Sequence, residues 1–221
     1  MEKFQDVILP YLTAPQLPRK QARAIMDRTV ERYKEPWRRH HVVKHLGDMS
    51  IFLLDNVDNL QKPRVVFWSM LFHDAVYVPS AGKRANEEYS ALLAEQQLQQ
   101  RLPDDEVSEI KYNIRATADH LGTPGRSDLN YLLDADMSPL GGNREEFDQY
   151  DANIEAEYVA EPPFGYDRNV YLVGRERFMR NCDYQRPLFL TPEGYDQYEH
   201  QARANVYRRW EELHSLNGLQ D

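Results

Sequence analysis

An apolar run, Val65-Val66-Phe67-Trp68-Ser69-Met70-Leu71-Phe72, ends abruptly in the pair His73-Asp74. A segment this apolar must lie inside a core, and Pro63 is suited to the first turn of a helix that carries it. The helix then delivers an imidazole and a carboxylate side by side to the edge of that core. Burying such groups without partners is costly, and a divalent metal satisfies both.

Helical periodicity dominates the rest of the chain. It predicts a helix over Pro18 to Tyr33, and a second beginning at Pro36 with Val42, Leu46, Met49 and Leu53 on one face. Asn86 is a suitable N-cap for Glu87 to Leu102, and Asp104 or Asp105 for a helix with Val107, Ile110, Ile114, Thr117 and Leu121. Ser127 or Asp128 suits Leu129 to Met137, Asn143 a helix with Phe147, Tyr150, Ile154 and Tyr158, and Thr191-Pro192 the start of a last helix. Stretches around 78–84, 122–126 and 161–166 read as loops. No Asn-Gly or Asp-Gly turn joins two alternating segments, so nothing demands a sheet. The expectation is one all-α domain over residues 1–221.

Composition narrows the function classes. Of 221 residues, 41% are hydrophobic and 29% charged, which is ordinary for a globular protein. A net charge of -9 without a Lys/Arg block repels polyphosphate, so nucleic acid is not an expected partner. No apolar run nears the roughly 20 residues that span a bilayer, so neither is a membrane. A lone cysteine, Cys182, makes no intramolecular disulfide. The first residues lack a basic start and a long apolar stretch, so a signal peptide is not expected and the default location is cytoplasmic.

His41 and His45, four apart on the predicted second helix, share a face. Asp134 and Asp136 flank Ala135 after Tyr131-Leu132-Leu133; two apart on a helix, only one aims squarely at a shared centre. With His73-Asp74 this makes two nitrogen and two oxygen ligands from three helices. That set suits Mn, Fe, Co, Ni or Zn better than Ca. Any one of these histidines alone would more commonly be a satisfied core residue; their order along the chain is what singles them out.

That order resembles the HD-domain superfamily, and within it a bacterial branch of predicted metal-dependent HD phosphohydrolases. The matching residues are Arg38-Arg39-His40-His41-Val42-Val43-Lys44-His45-Leu46, Phe72-His73-Asp74-Ala75-Val76-Tyr77, Asn86-Glu87, Thr117-Ala118-Asp119-His120 and Leu133-Asp134-Ala135-Asp136-Met137-Ser138. Glu157-Tyr158, Gly174-Arg175 and Ala202-Arg203-Ala204-Asn205 follow, so the resemblance covers about residues 33–207. The chain departs from the branch at His40, Val42 and Glu155, where Tyr, Asn and Arg are expected.

The resemblance implies an HD-type multi-helix domain and a hydrolase acting on a phosphomonoester or phosphoanhydride of a nucleotide or small metabolite. It implies one or two divalent ions (Mn, Fe, Co, Ni, Zn or Mg). The implied ligands are His45, His73, Asp74 and Asp136, with His41 as the other candidate for the first position. Glu87 and His41 become the candidate proton-handling residues, and Arg38 and His120 the candidate substrate contacts. Arg175 and Arg203 read as structural ion-pair residues. The alternative is a nucleotide-binding or signalling HD module with little turnover. The oligomeric state is open.

Overall fold

The computed structural model describes residues 3–82, 84–120, 122, 126–159, 165–184 and 187–218. Over these residues the protein is all-α, with no named strand. The helices are α1 (Lys3–Ile8), α2 (Arg19–Arg32), α3 (Val43–Asp55), α4 (Pro63–Phe72), α5 (Ala85–Leu98), α6 (Asp104–Ala116), α7 (Ser127–Met137), α8 (Arg144–Tyr158) and α9 (Arg168–Tyr184). A short α10 (Pro192–Gly194) leads through a wide helical turn into α11 (His200–Asn217). No helix among the described residues is long and apolar enough to cross a membrane.

Helix α4 is the axis of the larger core. Every residue from Val65 to Phe72 is buried, and α2, α3, α5, α6 and α7 all pack on it. Trp68 satisfies its indole by donating to the Leu12 carbonyl (3.1 Å). A second core joins Leu140, Phe147 and Ile154 to Leu172, Met179, Val206 and Leu213, where α9 lies along α11. Tyr198 packs against both cores.

Buried carboxylates tie distant segments together by receiving consecutive backbone N–H groups. Asp128 accepts from Gln61 (2.9 Å) and Lys62 (2.7 Å) just ahead of α4. Asp134 accepts from Leu190 (2.7 Å) and Thr191 (2.8 Å), and Glu199 from Leu188 (2.8 Å) and Phe189 (3.0 Å). Glu157 accepts from Arg39 (2.6 Å), His40 (2.9 Å) and His41 (3.2 Å). Hydrogen bonds to a buried charge are stronger than neutral ones, and each latch spans elements that no local propensity joins.

These latches account for several departures from the sequence expectation. The second helix starts at Val43, not Pro36, because the N–H groups of 39–41 turn toward Glu157 rather than along a helix axis. Asp128 does not cap α7, whose N-cap is Arg126; it serves the entry to α4 instead. Asn86 does not cap α5 either. Its amide brackets Val78 from both sides, accepting at 3.0 Å and donating at 3.1 Å, while Arg84 in a left-handed conformation occupies the cap position. Pro103 caps α6, which ends at Ala116; Leu121 lies outside the described residues. Asn143 does cap α8, with Glu146 closing a reciprocal capping box, and Thr191 caps α10. Helix α9 has no counterpart in the sequence reading.

Replacing Asp128 by Ala should lower stability by about 1–3 kcal/mol, because two consecutive backbone N–H groups lose a buried carboxylate acceptor. Urea unfolding measures it, and an unchanged midpoint would show that the latch contributes nothing.

Candidate metal centre

The end of α4 is clamped before any ion is considered. His73 Nδ1 donates to the Met70 carbonyl (2.7 Å), which leaves Nε2 with its lone pair toward the interior. The Tyr33 hydroxyl donates to the Leu71 carbonyl (3.1 Å) and accepts from the Asp74 N–H (3.2 Å). Arg38 donates to the Asp74 carbonyl (2.9 Å). The imidazole and carboxylate therefore face one direction with little freedom.

Two more elements bring their groups to that point. Helix α3 presents His45 one turn from its start, and α7 presents Asp136 at its end. Ligand atoms of His45, His73 and Asp136 all lie within 4.8 Å of one another, close enough to hold one metal ion. His45 Nε2 is 3.1 Å and His73 Nε2 3.5 Å from Asp136 Oδ1. Asp74 Oδ2 sits 3.0 Å from His73 Nε2. The buried His73 Nε2 has no hydrogen-bond partner, which fits a nitrogen whose natural partner is a cation.

The electrostatics agree with the geometry. Burial opposes charge on His73, Asp74 and Asp136. It is outweighed at Asp74 by His73 and His41, and at Asp136 by His73, His120 and His45, so both carboxyls stay ionised well below the usual range. Burial likewise opposes a charged His73, yet Asp74 leads the neighbours that raise its pKa. A field that draws a proton to His73 Nε2 draws a divalent cation there more strongly.

His41 lies in the bend ahead of α3, so it does not share a helix face with His45, although their rings are 5.9 Å apart. Its Nδ1 is bonded to Glu157 and its Nε2 is 3.7 Å from Asp74 Oδ2. Burial opposes its charge, but Glu157 and Asp74 raise its pKa; the same contacts hold Glu157 down at about 2. His120 follows α6 in a left-handed conformation (φ 51°) and places Nε2 2.9 Å from Asp136 Oδ2. Glu87, in the first turn of α5, lines the same cavity, and burial followed by the nearby Asp74 raises its pKa.

Arg38 is a correction. Its side chain is fully buried, bonded to Glu35 (2.9 Å) and to the carbonyls of His41 (3.1 Å) and Asp74, and stacked against Tyr33 and Tyr77. It holds the backbone of the site and is not among the residues lining the cavity. Asp134 faces away from the cluster into the strap before α10, where it also accepts from the Thr191 hydroxyl (2.6 Å). Burial lifts its carboxyl to about 6 against those hydrogen bonds. Arg203 pairs with Glu199 (2.8 Å) as expected.

Glu157 is the residue that the sequence reading leaves without a role. Its signal is present in hindsight: with Asp151 it puts a carboxylate on the apolar face of α8, beside Ile154. An acid at core spacing on an amphipathic helix requires a partner.

Asp74 and Asp136 line one side of a cavity of about 580 Å³, while His45 and His73 are buried beside them and do not line it. Helices α8 and α9 build the opposite wall from Tyr150, Ile154, Tyr158, Tyr171, Arg175 and Phe178. No family model, curated protein or solved structure matches the chain.

Protein purified without chelator should carry about one divalent ion per chain, as its imidazole and carboxylate donors favour. Asp136→Asn should abolish tight binding, whereas Asp134→Asn should keep it, weakened by at most about 10–100-fold. Chelator competition on variants shown to be folded by circular dichroism decides it; the reverse order would place the ion elsewhere.

Proposed function

We propose that the protein is a metal-dependent phosphohydrolase of the HD type, acting on a phosphomonoester or phosphoanhydride of a nucleotide or small metabolite. The observation that carries this reading is the meeting of His45, His73 and Asp136, with Asp74 alongside, where Asp74 and Asp136 line a cavity large enough for a small molecule. The ordered HD-like motif in the sequence supports the same reading. In it His45, His73, Asp74 and Asp136 hold the ion, and His120, beside Asp136, is available to a second ion or to a substrate phosphate.

When bound, a divalent ion polarises a phosphoryl oxygen and makes hydroxide accessible near neutral pH. The chain's own residues handle the protons. Glu87 presents a carboxyl of raised pKa to the cavity, which suits a group that accepts a proton from attacking water. His41 is oriented by Glu157 through Nδ1, which leaves Nε2 toward the cavity to hold or deliver a proton at the leaving oxygen. The buried Tyr33, Arg38 and Glu157 fix the backbone that carries these groups, so little reorganisation accompanies the reaction.

A hydrolysis screen of nucleotides and phosphometabolites across Mg, Mn, Co, Ni and Zn is the direct test. His73→Ala and Asp74→Ala should lose metal and activity together. Glu87→Gln should retain the metal while turnover of the best substrate falls by about 10²–10⁴-fold. Wild-type turnover by Glu87→Gln would remove it from the chemistry. Metal-loaded protein that hydrolyses nothing in the screen would point to the binding module instead.

A further inference from the structure

The cavity has two unlike ends, and only one of them is needed to hold an ion. We infer that the ligand taken by this site is a phosphate monoester with a single phosphate and an uncharged alcohol that carries a flat aromatic ring, the ring lying among the tyrosines of α8 and α9; this rests on the phosphohydrolase reading above.

The two ends are continuous. The His40 ring is 4.8 Å from the ring of His45 and 4.7 Å from that of Tyr150, and the Arg175 guanidinium lies 5.2 Å over Tyr150. A molecule with its phosphate at the His45–Asp136 cluster therefore has its other end against this wall. The wall is made of flat rings: Tyr158 stacks on Tyr166 (6.3 Å, 14°) and leans on Tyr171 (5.8 Å). Faces of this kind attract planar groups.

Charge sets the phosphate count. Arg175 is the one Arg or Lys among the described lining residues, and its guanidinium is already 2.8 Å from Asp151 Oδ1. Asp74, Glu87 and Asp136 line the same space. A bound ion offsets one phosphate group beside these carboxylates, whereas a di- or triphosphate tail calls for further Arg or Lys side chains, of which the described lining holds only Arg175, already beside Asp151. Polarity points to the ring's substituents. Tyr171 is 6% exposed, lines the cavity, and has a hydroxyl without a hydrogen-bond partner. A buried hydroxyl of this kind is ordinarily satisfied, and a ligand heteroatom would do so here. A volume of about 580 Å³ accommodates one ring system with a short linker to the phosphate.

Titration calorimetry of the Mn²⁺-loaded protein with AMP, phenyl phosphate, ATP and glucose 6-phosphate tests this, with Mn²⁺ in excess and phosphate release followed in parallel. At least one of the two aromatic monophosphates, AMP and phenyl phosphate, should bind about tenfold more tightly than ATP and glucose 6-phosphate, the size of one lost stacking contact. AMP preferred over phenyl phosphate would assign the ring to a nucleobase, and the reverse to a simple aryl alcohol. Tyr158→Leu should weaken the preferred ligand about tenfold and glucose 6-phosphate less than about twofold. Tyr171→Phe removes only the hydroxyl and should weaken it by about three- to tenfold if Tyr158→Leu does not fold. ATP or glucose 6-phosphate binding within threefold of the better aromatic ester, or an aromatic-ester affinity unmoved by the variants that fold, would overturn the inference. Selective binding of an aromatic ester without phosphate release would uphold the inference and defeat the hydrolase reading.

Discussion

His73 and Asp74 stand at the end of a helix buried on every side, and Asp136 reaches the same place from α7. Water cannot solvate these groups there, so each must be answered by something fixed. The protein answers on two levels. The backbone around the pair is pinned by Tyr33 and Arg38, both buried. The side chains are left facing one another, and ligand atoms of His45, His73 and Asp136 lie close enough to hold one metal ion, with Asp74 beside His73. With the frame pinned in this way, His73 Nε2 is left without a hydrogen-bond partner, while both Asp136 oxygens are shared with His45 and His120.

The remainder of the molecule can be understood as support for that arrangement. Asp128 fixes the entry of α4, and Glu157 fixes the bend that carries His41. Asp134 and Glu199 hold the segment from Leu188 to Thr191 against the end of α7, behind the ligand Asp136. In each case one carboxylate takes two or three consecutive N–H groups. That geometry stabilises an irregular backbone which neither helix hydrogen bonds nor packing would otherwise specify. At Glu157, His41 and then the N–H groups of Arg39 and His40 hold the carboxyl at about 2 despite its burial.

The two cores divide the work. The larger one sets the positions of His45, His73 and Asp136 through α3, α4 and α7. The smaller one contributes no ligand to that group, and supplies the aromatic wall opposite through α8 and α9. The candidate ligands and the aromatic wall thus rest on different packing units.

Much of this was legible in the chain. The run from Val65 to Phe72 could only be a buried element, and Pro63, Asn143 and Thr191 mark helix starts by local chemistry that the structure retains. The candidate ligands stood out because polar groups directly after apolar stretches must be partnered. Helix α9 was not legible: its buried Tyr171, Leu172, Arg175 and Met179 are interleaved with charges and exposed valines, which blurs the apolar stripe. Nor was the bend at 36–42, since helix propensity there is overridden by a carboxylate more than a hundred residues away. Which histidine joins the cluster, which aspartate turns toward it, and that Arg38 serves the frame rather than the cavity were all decided by tertiary structure. Spacing along a chain tells which side chains share a face; which neighbour that face meets, and so which charge satisfies which, exists only once distant segments are packed together.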